Sequence, residues 1–238
     1  MNVAIVVAAG KGTRLGGERP KQFLELGGIP IIIHTLRQFE RCREINEVVV
    51  VLPADQTAGF QSLAQRFELK KFSRAVSGGE TRAQSVQRGL ATINDAEIVA
   101  VHDGVRPFVT PQEIDRTVRA AKSIGAAILT ATVAETIKEV KADRVIDTFP
   151  RACLRRALTP QCFRFDILKQ AYDRLAEIES RGIEVTDDSF LVEQLGLEIQ
   201  AVEGSAQNIK ITGPKDLAIA KILLEDRRQE AELDSSLC

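Results

Sequence analysis

The organisation of the chain turns on residues 3–21, VAIVVAAGKGTRLGGERPK. The first seven residues of this stretch are apolar throughout and rich in β-branched side chains, which suits a strand buried on both faces. Directly behind them stand four glycines and four cations: Gly10, Lys11, Gly12, Arg14, Gly16, Gly17, Arg19 and Lys21. Glycine leaves backbone N–H groups unobstructed, and lysine and arginine add full charges. A turn of that composition between a strand and a helix is a cradle for phosphate. The apolar run has no basic flank ahead of it and is far too short to span a bilayer.

Outward from this stretch the pattern repeats. EVVVVLP (47–53), EIVAVHD (97–103) and AAILTATV (126–133) are further continuous apolar runs. The intervening IPIIIHTLRQFERC, TAGFQSLAQRF, TRAQSVQRGLATI and TPQEIDRTVRAAKSIG space their apolar residues three and four apart. Thr110 and Pro111 supply a cap and first turn. Strand and helix alternating in this way predict an α/β fold, a doubly wound and mostly parallel sheet with ligands at the carboxyl ends of its strands. The regularity breaks over residues 135–157, where two short alternating pieces flank KADR and predict a projecting β-hairpin arm. Beyond it, TPQCFRFDILKQAYDRLAEIES and TDDSFLVEQLG are expected as helices, LEIQAVEG and AQNIKIT as strands, and GPKDLAIAKILLEDRR as a closing helix. One domain over residues 1–226 and a frayed, charged tail over 227–238 complete the expected layout.

Composition narrows the function. Thirty-two basic residues against thirty-three acidic ones leave a net charge of −1. No global field favours nucleic acid or an anionic membrane, so an anion site has to be local. Cys42, Cys153, Cys162 and Cys238 have neither metal-ligand spacing nor a C-x-x-C pair, which fits free thiols in a reducing cytosol.

Three phosphate-binding patterns compete for the opening loop. A dinucleotide fingerprint requires a third glycine where Leu15 stands, and an acid at the end of the second strand, where Leu52 and Pro53 stand. A nucleoside triphosphatase loop requires Lys and Ser or Thr after its last glycine, where Thr13 and Arg14 follow Gly12. The remaining pattern, A-A-G-x-G-x-R with P-K-Q further on, resembles sugar-nucleotide pyrophosphorylases and related nucleotidyltransferases. Together with GGETRAQSVQRGL, VHDGVRPFVT, LTPQ, VTDDS and AQNIKITGPKDLAIA in that order, the chain resembles the 2-C-methyl-D-erythritol 4-phosphate cytidylyltransferases of the non-mevalonate isoprenoid pathway. A ribitol 5-phosphate cytidylyltransferase, or a nucleotide-binding module without turnover, would share much of the pattern.

The resemblance implies a Rossmann-like nucleotidyltransferase fold, CTP and a polyol phosphate as substrates, Mg²⁺ as cofactor, and a cytoplasmic homodimer formed through the arm. It implies Arg14 and Lys21 as the catalytic cations, stabilising charge that grows on the α-phosphate during in-line displacement. A phosphate monoester is already a nucleophile near neutral pH, so no general base is needed, and His34 is expected to be structural. Ala8, Ala9 and Gly10 would approach the nucleotide through backbone atoms, with Lys11 and Gly12 also at the CTP site. Gly79 and Ser85 would read cytosine, Arg82 would order their loop, and Glu80 stands where some members carry Asp. Asp103, at a strand end, is the expected Mg²⁺ ligand. Arg106, Thr136, Arg151, Thr159, Thr186 and Lys210 are expected to receive the polyol phosphate, with Thr136 and Arg151 reaching a neighbouring subunit's site.

Overall fold

A computed structural model describes residues 1–10 and 20–236, with side chains to residue 230. The opening stretch forms β1 (Asn2–Val7), whose residues Val3 to Val6 are wholly buried. β1 runs parallel between β4 (Glu47–Leu52) and β6 (Ile98–Asp103), in the register Val7↔Val51 and Val7↔Asp103. Outside β4 lies β5 (Phe72–Ser77), also parallel. On the other side come β10 (Arg155–Arg164), antiparallel to both its neighbours, then β7 (Ala126–Thr132) and β11 (Gln200–Glu203). The seven-stranded order β5-β4-β1-β6-β10-β7-β11 places the topological switch at β1, where ligands of doubly wound sheets bind. Small hairpin strands β2 (Glu25–Leu26) and β3 (Ile29–Pro30) lie apart from this sheet.

Period-two alternation along the strands feeds two cores. Ala4, Val6 and Ala8 pack with α1 (Ile31–Arg41), α2 (Thr57–Arg66) and α4 (Pro111–Ile124). Val3 and Ile5 pack on the other face with α3 (Arg82–Leu90), α5 (Phe165–Asp173), α6 (Leu175–Ser180) and α7 (Asp188–Glu193). The cap expected at Thr110 is present at α4, and Glu113 completes a full capping box with it. A third cluster joins Leu26, Ile31, Val105, Phe108, Ile211 and Ala220 beneath α8 (Pro214–Ser236). Among the described residues no helix is long and apolar enough to cross a membrane.

The hairpin is present as β8 (Lys138–Lys141) and β9 (Arg144–Thr148), turning through Ala142 and Asp143, both at positive φ. Every residue of both strands is exposed.

Four sequence expectations change. TPQCFR is the inner half of β10, not a helix start: Gln161 to Arg164 pair with β6, and Gln161 to Phe163 also pair with β7. Pro160 is tolerated because it falls where the β10–β7 register shifts, and there the missing N–H breaks no regular ladder bond. AQNIKIT is irregular, although Ile211 N–H still donates to Val105 O at 2.9 Å. The half-buried β5 has no counterpart in the sequence reading. α8 continues to Ser236, past the expected boundary at residue 226, and Arg227 lies over the Phe108 ring and donates to its carbonyl.

Candidate active site

Three loops meet where β1, β4 and β6 end. Ala8 N–H donates to Val51 O at 2.7 Å, Gly78 N–H to Leu52 O at 2.8 Å and Gly104 N–H to Val7 O at 2.8 Å. The approach is close: a Cβ on Gly78 would stand 2.2 Å from that of Ala9, and one on Gly104 2.8 Å from that of Ala8. Small residues therefore let the loops converge, opening a cleft lined by Ala8, Ala9, Gly10, Lys21, Gly79, Glu80, Arg82, Ser85, Asp103 and Lys210. All ten were expected from the sequence. Val7, Gln22, Thr81 and Val105 also line it and were not.

At the floor, the two oxygens of Asp103 are shared among three cations. Arg82 Nε lies 3.1 Å from Oδ1; Arg106 Nε and Lys210 Nζ lie 3.1 and 3.0 Å from Oδ2. Burial alone would raise the Asp103 pKa, but Arg82, Lys210 and Arg106 together hold its carboxyl far below the usual carboxylate range. Arg82 also reaches Asp188 at 2.9 Å. Asp188 is wholly buried, accepts from the Tyr172 hydroxyl, and receives Gln161 Oε1 on its backbone N–H. Within this network three cations meet two carboxylates, and Arg82 and Lys210 are the cations that line the cleft, as does the carboxylate Glu80. Lys21 also lines the cleft; hydrogen bonds from Thr212 are the main cause of the lowered Asp216 carboxyl, and the Lys21 charge contributes.

Beneath Asp103, His102 is fully buried and neutral, its pKa pulled down to about 4 by burial. Its Nε2 meets the Arg106 carbonyl, which can only accept, so Nδ1 carries no proton. Thr159 Oγ1 therefore donates to Nδ1 at 2.9 Å and accepts from Asp103 N–H at 3.2 Å.

These contacts correct several expectations. Asp103 is not an open metal ligand, because cations already occupy both its oxygens. Among the described residues no group of three or more His, Cys, Asp or Glu could hold a metal ion, and the site does not fit a protein-held Mg²⁺. The Thr159 hydroxyl is buried, spends its one donor on His102 and does not line the cleft. Ser85 lines the cleft, donates to Thr81 O at 2.9 Å and accepts from Gly79 N–H at 3.0 Å, so it shapes the base loop and keeps one lone pair for a donor. Arg106 lies behind the cleft lining, with Nε on Asp103 and Nη1 on Asn208 O. Thr186 is exposed just ahead of Asp187, the true cap of α7. Thr136 and Arg151 sit in the arm, where Arg151 donates to Ala134 O, and neither lines this chain's cleft. Lys11, Gly12 and Arg14 lie outside the described residues. His34 donates to Leu26 O at 2.7 Å and is structural, as expected.

A family model described as IspD, 2-C-methyl-D-erythritol 4-phosphate cytidylyltransferase, matches residues 2–226. The protein of that name from Bacillus velezensis is 41% identical over 224 residues, covering 94% of this chain and 95% of its own. That from Geobacillus kaustophilus is 40% identical over 227 residues, covering 95% and 98%. Among solved structures, the 4-diphosphocytidyl-2C-methyl-D-erythritol synthase of Anaerococcus prevotii superposes with a TM-score of 0.84 at 30% identity, covering 94% and 96%. The 2-C-methyl-D-erythritol 4-phosphate cytidylyltransferase of Thermus thermophilus gives 0.74 at 31%, covering 93% and 98%.

Proposed function

The chain belongs to the 2-C-methyl-D-erythritol 4-phosphate cytidylyltransferase family, and from that premise we propose how its cleft performs the reaction. The reaction is cytidylyl transfer from CTP to 2-C-methyl-D-erythritol 4-phosphate, giving the CDP-alcohol and pyrophosphate in the non-mevalonate isoprenoid pathway. The observation that carries the proposal is the convergence of Lys21, Arg82 and Lys210 on one cleft at the ends of β1 and β6.

The base and ribose lie against the backbone of Ala8 to Gly10 and the loop from Gly79 to Ser85, with Glu80 at its rim. A phosphate oxygen of the polyol phosphate attacks the α-phosphorus and pyrophosphate leaves in line. The α-phosphate oxygens gain charge on the way, and Lys21 with Arg14 neutralises it. The acceptor already carries its nucleophile in ionised form. Neutral His102, with both nitrogens engaged, then has a packing role beneath Asp103. Asp103 aims Lys210 at the incoming phosphate and ties it to Arg82 on the nucleotide side. Mg²⁺ enters with the triphosphate as part of the substrate, since both Asp103 oxygens already carry cation contacts.

The exposed arm supplies the rest. Val140, Val145, Ile146 and Phe149 are 58%, 62%, 53% and 38% exposed, and an isolated two-stranded hairpin is at best marginally stable in water. A second copy of the chain covers it in a two-fold dimer, bringing Thr136 and Arg151 to the partner's polyol-phosphate side. The enzyme is cytoplasmic.

The test incubates the protein with each of the four nucleoside triphosphates and a panel of polyol phosphates, ribitol 5-phosphate included, and follows pyrophosphate release. Release with CTP and 2-C-methyl-D-erythritol 4-phosphate is expected. Preference for ribitol 5-phosphate would move the acceptor assignment, and silence with every pair would leave a binding module.

A further inference from the structure

Gln22 follows Lys21 in the turn after Pro20 and is 1% exposed. Among the described residues it alone has its whole carboxamide stranded, with Nε2 and Oε1 both buried and without a hydrogen-bond partner. Such groups are rare in folded proteins because each lost partner destabilises the fold. An orphan amide that lines a binding cleft is explained if the ligand supplies the missing partners.

Its place in the fold says which ligand. Leu24 and Leu26, just after it, pack with Val105, Ile209 and Ile211, which flank Lys210 and follow Asp103. Phe23 meets Phe60 of α2, in the core layer that Ala4, Val6 and Ala8 face. The base loop from Gly79 to Ser85 instead leads into α3 on the opposite layer. Gln22 therefore belongs to the Lys210 wall, across the cleft from the base loop. A carboxamide has one acceptor oxygen and two N–H donors. A triphosphate presents acceptors only and would leave Oε1 stranded. A polyol phosphate presents hydroxyl donors together with hydroxyl and phosphate acceptors.

We propose that Gln22 is a binding residue for the acceptor polyol phosphate, with Oε1 accepting from a hydroxyl and Nε2 donating to a phosphate or hydroxyl oxygen. This deepens the cytidylyltransferase reading and rests on it. Ribose also carries hydroxyls, so the decisive readout is which substrate's KM responds.

Gln22→Met keeps the side-chain length and removes only the polar atoms. The unliganded variant is expected to melt at or above the wild-type temperature, because no intramolecular bond is lost. Its KM for 2-C-methyl-D-erythritol 4-phosphate should rise roughly 10- to 100-fold, the scale of hydrogen bonds to a charged group, while KM for CTP stays within about twofold. Gln22→Ala should show the same split and serves if the Met variant misfolds. An unchanged KM for the polyol phosphate, or a rise in KM for CTP instead, overturns the proposal while leaving the enzyme's function intact. Absence of pyrophosphate release from the wild-type protein with any polyol phosphate overturns the function and this proposal with it.

Discussion

Asp103 is 5% exposed and has three cations on its two oxygens, whereas Val145 is 62% exposed on a strand with no buried residue. The cleft floor is satisfied from within one chain: Asp103, Arg82, Asp188, Tyr172, His102 and Thr159 use one another as partners. The β8–β9 hairpin of the arm pairs only with itself among the described residues and shows its apolar side chains to water. The difference teaches where each kind of substitution is felt. A change in the floor strands a buried partner and is felt within the chain, while a change in the arm is felt by whatever covers the arm.

Lys21→Ala should have the largest effect, about 10²-fold or more in turnover with folding unchanged, the scale of removing a transition-state charge partner. Near-normal kcat would take Lys21 out of the chemistry.

Asp103→Asn should come next. It leaves Arg82, Arg106 and Lys210 facing a neutral amide, and breaking a buried pair destabilises by about 3–5 kcal/mol. Urea unfolding should register that loss, together with weaker turnover. The Mg²⁺ concentration at half-activity should stay where it was, because the ion comes with the triphosphate. A large rise in that concentration would restore Asp103 as a metal ligand.

Acid acts on the same floor. The fold holds His102 at about 4 against its ordinary 6.5. Between those values the unfolded chain takes up a proton that the native chain refuses. Stability should therefore fall as pH drops from 6.5 towards 4, by roughly 1.4 kcal/mol per pH unit from this group. Asp103, with its depressed carboxyl, adds its own loss only in stronger acid, below the unfolded carboxylate value. His102→Gln should flatten the slope of unfolding free energy between pH 6.5 and 5; an equal slope in both proteins would move the proton uptake elsewhere.

Val145→Asp in the arm is the smallest change within the chain, within about 0.5 kcal/mol as for other surface positions. Its proposed effect lies between chains: sedimentation should move from twice 26.1 kDa to 26.1 kDa. A variant that stays dimeric would place the dimer contact outside the hairpin.

The same contrast marks what was legible in the sequence. β1, β4, β6 and β7 announce themselves as unbroken apolar runs because both their faces are covered. The arm shows as alternation without a core. β10 was hidden because Thr159 and Pro160 imitate a helix start, and only its two neighbours reveal that Pro160 sits at a register shift. β5 is half-buried and mixed in composition, so neither period stands out. In the cleft, Gly79, Lys21, Asp103 and Lys210 could be named from local motifs. That Arg82, Arg106 and Lys210 close on Asp103 could not be read, since Lys210 reaches it from the far end of the chain. That long link is also why a carboxylate at a strand end looked open when it is closed by cations.

The most direct measurement mixes two folded proteins, Lys21→Ala and Arg151→Ala, each inactive alone, after subunit exchange has been verified. In the mixed dimer one cleft combines the intact Lys21 of one chain with the intact Arg151 of the other. A cleft built by one chain and completed by its partner's arm predicts recovery to about a quarter of wild-type activity, since half the dimers are mixed and each carries one whole site. Mixed dimers that form and remain inactive would contradict it and assign the arm to its own subunit.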